Sequence, residues 1–199
     1  LSIVATLIVV FLYVAFLLVE QRSFAAKIQN VSDDPKQVAF IRQIMTNING
    51  KIGTYLALKT LLSAMLGVLT WAIMAFCGME FAVFWGVLIF LLNYVPYIGS
   101  FLSIFLPAVF AIVQFGNMGS VLAVMVPLGI VQFVNGNFLD PYLMGNSLNL
   151  SPFVILVSLT VWSALWGISG AFLAVPMTAV MVMIFAEFPG TRPFAVMLS

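Results

Sequence analysis

Apolar stretches long enough to cross a lipid bilayer recur from Leu1 to Ala186, and this feature decides most of what the chain can become. A helix crossing the hydrocarbon core needs about 20 apolar residues. Only 7% of residues are charged and 64% are hydrophobic, where a soluble domain carries about 25% charged residues. The chain is therefore read as an integral membrane protein. Membrane barrels appear as alternating segments of about ten residues, and nothing here alternates in that way. The expected class is all-α: a polytopic helical bundle in the membrane.

The charges are concentrated, and their position orients the chain. Arg22, Lys27, Lys36, Arg42, Lys51 and Lys59 fall in one segment, and Arg192 is the only basic residue beyond it. The positive-inside rule puts that segment on the cytoplasmic side. Residues 1–19 are expected to be a transmembrane helix, being too long for a signal-peptide core and lacking a small-residue cleavage site. Residues 20–52 are expected to form a cytoplasmic amphipathic segment. Ser32, Asp33 and Asp34 supply caps, Pro35 a first helical position, and Val38, Ile41, Ile44, Met45, Ile48 and Ile52 an apolar stripe. The stripe is expected to pack on protein, within or between subunits, and not on lipid. A lone Cys77 excludes an intramolecular disulfide, and the absence of histidine removes the commonest metal ligand. No metal, cofactor or nucleic-acid partner is expected.

Residues 53–76 read as a clean spanning helix, with Thr60, Ser63, Gly67 and Thr70 on one face for close helix packing. The next apolar run is broken in its middle by NYVPYIGS, residues 93–100. The flanking arms, 81–93 and 101–115, reach about 20 to 23 Å as helices, short of the roughly 30 Å hydrocarbon core. Two short arms around a Pro and Gly break predict a re-entrant hairpin, with two tilted full crossings as the alternative. Irregular backbone at that depth requires protein or a watery cavity around it.

The layout then repeats. Residues 119–139 read as a second spanning helix of opposite direction. After the polar connection LDPYLMGNSLNL, two further short arms flank WGISG at 166–170, with Ser151 and Pro152 as a helix start and Pro176 as a kink. The halves 53–117 and 118–199 are thus each a spanning helix plus a broken re-entrant hairpin, in an inverted repeat. Paired interrupted segments of this kind point to a transporter's binding site.

The candidate solute-binding residues lie at the two tips: Asn93, Pro96, Tyr97, Gly99 and Ser100, and Trp166, Gly167, Ser169 and Gly170. Asparagine, serine and aromatic rings there can hydrogen-bond and stack on a small polar molecule, and the glycines let backbone approach it. The tips are expected to meet near the bilayer midplane. A second set, Asp140, Asn137, Gln132 and Lys59, forms a candidate coupling or polar path. Asp140 follows Gln132 and Gly136 at four-residue steps and is expected at the carboxyl end of a helix stopped by Pro141. The helix dipole there disfavours a carboxylate and favours a bound proton or cation. Interfacial capping by Asp140 and snorkelling by Lys59 are the bland alternatives.

N-x-x-P-x-I-G at Asn93–Gly99, G-N-x-L-[ED]-P at Gly136–Pro141 and W-G-x-x-G-x-x-L-A-V-P at Trp166–Pro176 together resemble the autoinducer-2 exporter family of bacterial inner-membrane proteins. The similarity runs from Glu20 onward. It implies a multi-pass inner-membrane protein that exports a small signalling molecule, with sodium or lithium/proton antiport in some relatives. It also implies homo-oligomers, pentamers in particular, and a chain corresponding to the carboxyl-terminal part of a member. Three functions compete at this point: exporter of a small polar molecule such as autoinducer-2, cation/proton antiporter, and non-transporting membrane scaffold. An enzyme is not expected, because no nucleophile–base pair or cofactor fingerprint is present.

Overall fold

A computed structural model describes residues 11–13, 15, 16, 19, 20, 34–144 and 150–198. Most of the expected helix 1–19, the caps Ser32 and Asp33, and Gly145–Asn149 of the polar connection lie outside the described residues. The chain divides into two compact units, Leu1–Asn49 and Gly50–Ser199. In the first, the described residues of 11–20 and those from Pro35 on are helical. Val38, Ile41, Ile44 and Ile48 are half-buried and Met45 is exposed.

The described residues are all-helical. Helix α1, Pro35–Phe76, begins where the sequence places it, with Asp34 Oδ1 accepting the Lys36 N–H at 2.9 Å. It runs without a break through Ile52 and Gly53, so the expected separation between an amphipathic helix and a spanning helix does not interrupt the backbone. The remaining helices are α2 (Ala82–Leu92), α3 (Ile98–Phe115), α4 (Met118–Val134), a π-helical turn (Asn135–Leu139), α5 (Asp140–Met144), α6 (Pro152–Glu187) and α7 (Arg192–Leu198). Among the described residues, four segments are long and apolar enough to cross a membrane: α1, α3, Met118–Leu143 and α6.

Helices α2 and α3 form a hairpin whose open ends are clasped together. Gln114 accepts the Glu80 N–H at 2.9 Å and donates to the Gly78 carbonyl at 2.9 Å. Its tip reaches far along α1: Tyr94 OH lies 2.7 Å from Thr60 Oγ1, and Asn93 Nδ2 donates to Ser63 Oγ at 3.0 Å. From Phe76 back to Thr60 is about 24 Å at 1.5 Å per residue. The close approach of α1 and α2 is made at Gly67 and Gly86, each carbonyl occupying the space where the other's Cβ would sit. This is the packing expected of the small-residue face, with Ser63, Gly67 and Thr70 buried and Thr60 exposed.

Helix α6 is two arms and not one rod. Gly167, at φ 63 and ψ −139, breaks it inside the expected WGISG segment. The arms fold back on each other, as shown by the hydrogen bond from Trp162 Nε1 to Thr178 Oγ1 at 3.0 Å. Ser151 caps the first arm by accepting the Val154 N–H at 3.3 Å, and Pro152 follows as expected.

Helix α4 runs antiparallel to α1. Cys77 Sγ meets the Ala123 carbonyl at one end, and Lys59 meets Asp140 at the other. The two hairpins therefore start from opposite ends of this pair. A core of Leu66, Met74, Trp85, Ile89, Ala111, Val124 and Leu128 joins α1 to α4. A smaller one, Val95, Leu159 and Ala174, joins the first tip to the second hairpin.

Both hairpins close over a glycine. A Cβ on Gly99 would collide with the Leu92 carbonyl, and one on Gly170 with the Trp162 carbonyl. Gly99→Ala and Gly170→Ala are each expected to cost about 3 kcal/mol or more, in the range of strongly overpacked sites. Gly129→Ala, whose Cβ meets nothing within 4 Å, should leave stability unchanged or slightly raised. Thermal unfolding of the three variants in detergent checks this, and equal midpoints for all three would refute hairpin closure at the glycines.

Candidate functional site

One buried polar stripe runs along α1: Tyr55, Lys59, Ser63, Gly67 and Thr70, at three- and four-residue spacing. Such a stripe in an apolar bundle requires partners, because each unpaired polar group costs free energy on burial. Thr70 returns its hydroxyl to the Leu66 carbonyl at 2.7 Å. Ser63 receives Asn93. Lys59, only 5% exposed, pairs its ammonium with Asp140 Oδ2 at 3.2 Å.

That ion pair gives Asp140 a different setting from the one the sequence suggests. The helix does not stop at Pro141; helical structure continues to Met144, so Asp140 is not the last residue before an exposed carboxyl end. Proline is tolerated here because the preceding turn, Asn135–Leu139, is π-helical. The wider turn already forgoes the regular i to i−4 bonding that a proline inside a helix would break. The same extra residue rotates everything after it by about 100° relative to a regular helix. Asp140 is thereby aimed at Lys59.

The pair lies in the wall of a cavity of about 790 Å³. Its polar lining includes Tyr55, Lys59, Asn93, Tyr97, Ser100, Gln132, Asn137 and Asp140. Pro96, Phe101, Phe133, Ile155 and Val175 supply apolar surface. Gln132 is 6% exposed, and neither its side-chain N–H donor nor the acceptor oxygen Asp140 Oδ1 has a partner among the described residues. Asn137 donates to the Phe133 carbonyl of its own helix at 2.9 Å. A second groove, about 400 Å³ between α1 and α2, is lined by Ala64, Val68, Trp71, Val87 and Phe90 and offers a polar solute nothing to bind.

The structure therefore gathers Asn93, Pro96, Tyr97 and Ser100 of the first tip with Lys59, Gln132, Asn137 and Asp140 of the polar path. It does not bring in the second tip. Trp166, Gly167 and Ser169 are exposed, and Gly170 is buried but outside the cavity. The hairpins pass alongside each other instead of meeting tip to tip. Tyr94 packs on Phe172 with ring centroids 6.0 Å apart, and the second hairpin contributes only Ile155 and Val175 to the lining. Gly99 and Gly170 approach the chain's own carbonyls and not the cavity. Tyr55 is a lining residue that sequence reasoning missed; its signal was its place four residues before Lys59. Among the described residues, no three His, Cys, Asp or Glu side chains come together as a metal site.

A polytopic helical membrane protein with a buried ion pair and amide groups around one cavity is the class these features define. The sequence profile described as "AI-2E family transporter" matches residues 1–190. The chain is 35% identical over 195 residues to a Borreliella burgdorferi protein named "Putative transport protein", covering 98% of this chain and 54% of that one. It is 33% identical over 196 residues to the AI-2 transport protein TqsA of Escherichia coli K12, covering 98% and 56% respectively. A 29% identity over 189 residues links it to the E. coli protein named "Putative permease PerM", over 95% of this chain and 53% of that one. The chain belongs to the AI-2E transporter family and is a multi-pass protein of the bacterial inner membrane. It spans about half the length of the relatives it matches.

The ion pair makes a stability prediction. Removing one member of a buried pair leaves the other charge uncompensated. Asp140→Asn should destabilise by about 2 kcal/mol, less than for a fully buried pair because the Asp140 side chain is 26% exposed. Adding Lys59→Met should recover most of that loss. Thermal unfolding of single and double variants in detergent measures the coupling; additive losses would show that the pair does not interact.

Proposed function

We propose that the protein exports a small polar signalling molecule of the autoinducer-2 kind across the inner membrane, by way of the cavity beside the first hairpin tip. The observation that carries this reading is the cavity's lining. Gln132 has an unsatisfied N–H donor and Asp140 an unsatisfied acceptor oxygen, both buried, between aromatic walls. A hydroxylated solute both donates and accepts hydrogen bonds, which suits a lining that mixes tyrosine, serine and amide groups with the Lys59–Asp140 pair. A volume of about 790 Å³ suits a small molecule. The AI-2 transport named in one relative supports the solute class.

The two hairpins are read as re-entrant, each entering and leaving on one side, and the halves as an inverted repeat. The glycine closures at Gly99 and Gly170, the clasp at Gln114 and the opposite starting ends of the hairpins support this. Homo-oligomeric assembly, as a pentamer, is carried over from the family resemblance, with the stripe from Val38 to Ile52 as its expected packing surface. A second reading, cation/proton antiport, is favoured by the Lys59–Asp140 pair, since a proton or monovalent cation at Asp140 would replace the ammonium as its counter-charge.

Cysteines placed at Glu80 and Asn117, in a Cys77→Ser background, should both label from the periplasmic side with an impermeant maleimide. Labelling from opposite faces would remove the re-entrant hairpin and the inverted repeat with it.

For transport, Asn93→Ala and Gln132→Leu should each cut efflux of autoinducer-2 from loaded proteoliposomes about tenfold, the loss expected when one hydrogen bond that the site depends on goes unmade. Efflux is compared at matched expression and assembly. Wild-type flux from both variants defeats the site assignment. Flux that responds to an imposed proton gradient in the wild type and not in Asp140→Asn would establish the coupled reading.

A further inference from the structure

Two of the most deeply buried polar side chains do not line the cavity. Ser63 is 0% and Asn135 1% exposed, and both touch Asn93, itself 3% exposed. Asn93 Nδ2 donates to Ser63 Oγ at 3.0 Å, and Asn135 Nδ2 donates to Asn93 Oδ1 at 3.5 Å. Asn93 is thus gripped from α1 on one side and from the π turn on the other. Next to it, the Tyr94 hydroxyl meets Thr60 Oγ1 on α1 at 2.7 Å.

What this grip restrains is a strained turn. Tyr97 sits at φ 59 and ψ −58, and the Ile98 N–H bonds to the Pro96 carbonyl at 2.6 Å. These are the features of the rare γ-turn with a positive φ, a conformation that a bulky L-residue adopts only when its surroundings impose it. Tyr97, Pro96 and Ser100, which make up this turn and its exit, all line the cavity. The side chains of Ser63 and Asn135 reach the first hairpin tip through Asn93.

We infer that Ser63 and Asn135 are positioning residues for transport: they latch the first hairpin tip, through Asn93, in its strained position against the cavity. The inference rests on the reading of that cavity as the solute path. The latch is also releasable. Its link to Asn135 is at the long end of hydrogen-bond distance, and Asn135 Oδ1 has no partner among the described residues. The extra residue of the π turn sets how Asp140 faces relative to Asn135, which opens that turn, so the contact with the tip and the ion pair lie at its two ends.

The test reads tip position separately from flux. With Ser100→Cys in a Cys77→Ser background, the rate of alkylation by a membrane-impermeant maleimide reports how freely the tip leaves its seat. Ser63→Ala and Asn135→Leu should each raise that rate about fivefold, the population shift made by losing one hydrogen bond. Adding Tyr97→Gly, which removes the strain at the turn, should return the rate towards that of the parent. Transport by Ser63→Ala should lose maximal rate while KM stays within about twofold, since binding groups are untouched. If Ser63→Ala fails to assemble, Tyr94→Phe, which deletes only the hydroxyl facing Thr60, takes its place with the same expected direction. Unchanged labelling in Ser63→Ala (or Tyr94→Phe) and Asn135→Leu overturns the latch, as does faster labelling that Tyr97→Gly leaves unaltered. Faster labelling with wild-type transport upholds the latch and overturns the solute path instead.

Discussion

A helix interrupted in apolar surroundings leaves backbone donors and acceptors that no solvent can satisfy, and the arrangement around residues 93–100 follows from that constraint. The break supplies many of its own partners. Tyr94 and Val95 N–H groups return to Leu91 and Leu92, Ile98 to Pro96, Gly99 to Val95 and Phe101 to Tyr97. Such tight turning brings the two arms into backbone contact, which is why Gly99 lacks a side chain and why Tyr97 is forced to positive φ. The side chains then fasten the turn to α1. The second break at Gly167 uses a glycine for the φ itself and Gly170 for the backbone approach.

The charged pair obeys a related constraint. A buried ammonium is tolerated only where a counter-charge reaches it, and Lys59 obtains one from a residue 81 positions away. Position alone would not bring the two together. The antiparallel pairing of α1 with α4 sets the level, and the π turn sets the facing. The ion pair holds one end of the helix pair while the Cys77 contact with Ala123 and the apolar core hold the other.

Much of the fold was legible because breaks and caps have local chemistry. Asp34 with Pro35, Ser151 with Pro152, and the Pro and Gly tip at 93–100 each declared a boundary, and the break of α6 fell inside WGISG. The small-residue face on α1 announced its packing. The π turn was not legible, since the apolar pattern from Met118 to Leu139 carries no mark of the extra residue in one turn. From that came the misplacement of Asp140 at a helix end. The second tip looked like half of a binding site because Trp166 and Ser169 flank a break; whether such residues face a cavity depends on how far the hairpins overlap, and that is set by packing among Val95, Leu159 and Ala174. Ser63 read as a small packing residue because its partner, Asn93, belongs to another segment.

On the proposed solute path, the positions of the cavity and the core constrain how a solute passes. Lys59, Asp140 and the first tip lie at one end of the α1–α4 pair, and beyond them Leu66, Met74, Ile89, Ala111, Val124 and Leu128 close the space between helices. A polar molecule in the cavity has no route through that core while it stays packed, because crossing it means shedding hydrogen bonds into an apolar interior. Something must therefore move. The clasped base of the first hairpin, with two hydrogen bonds from Gln114 and a core around Trp85 and Phe110, is costly to displace. The tip is held by a few side-chain hydrogen bonds and the small core around Val95, and it carries strain at Tyr97. Between these two ends of the same hairpin, the tip is the more weakly held, and the amide of Asn93 ties it to both α1 and the π turn.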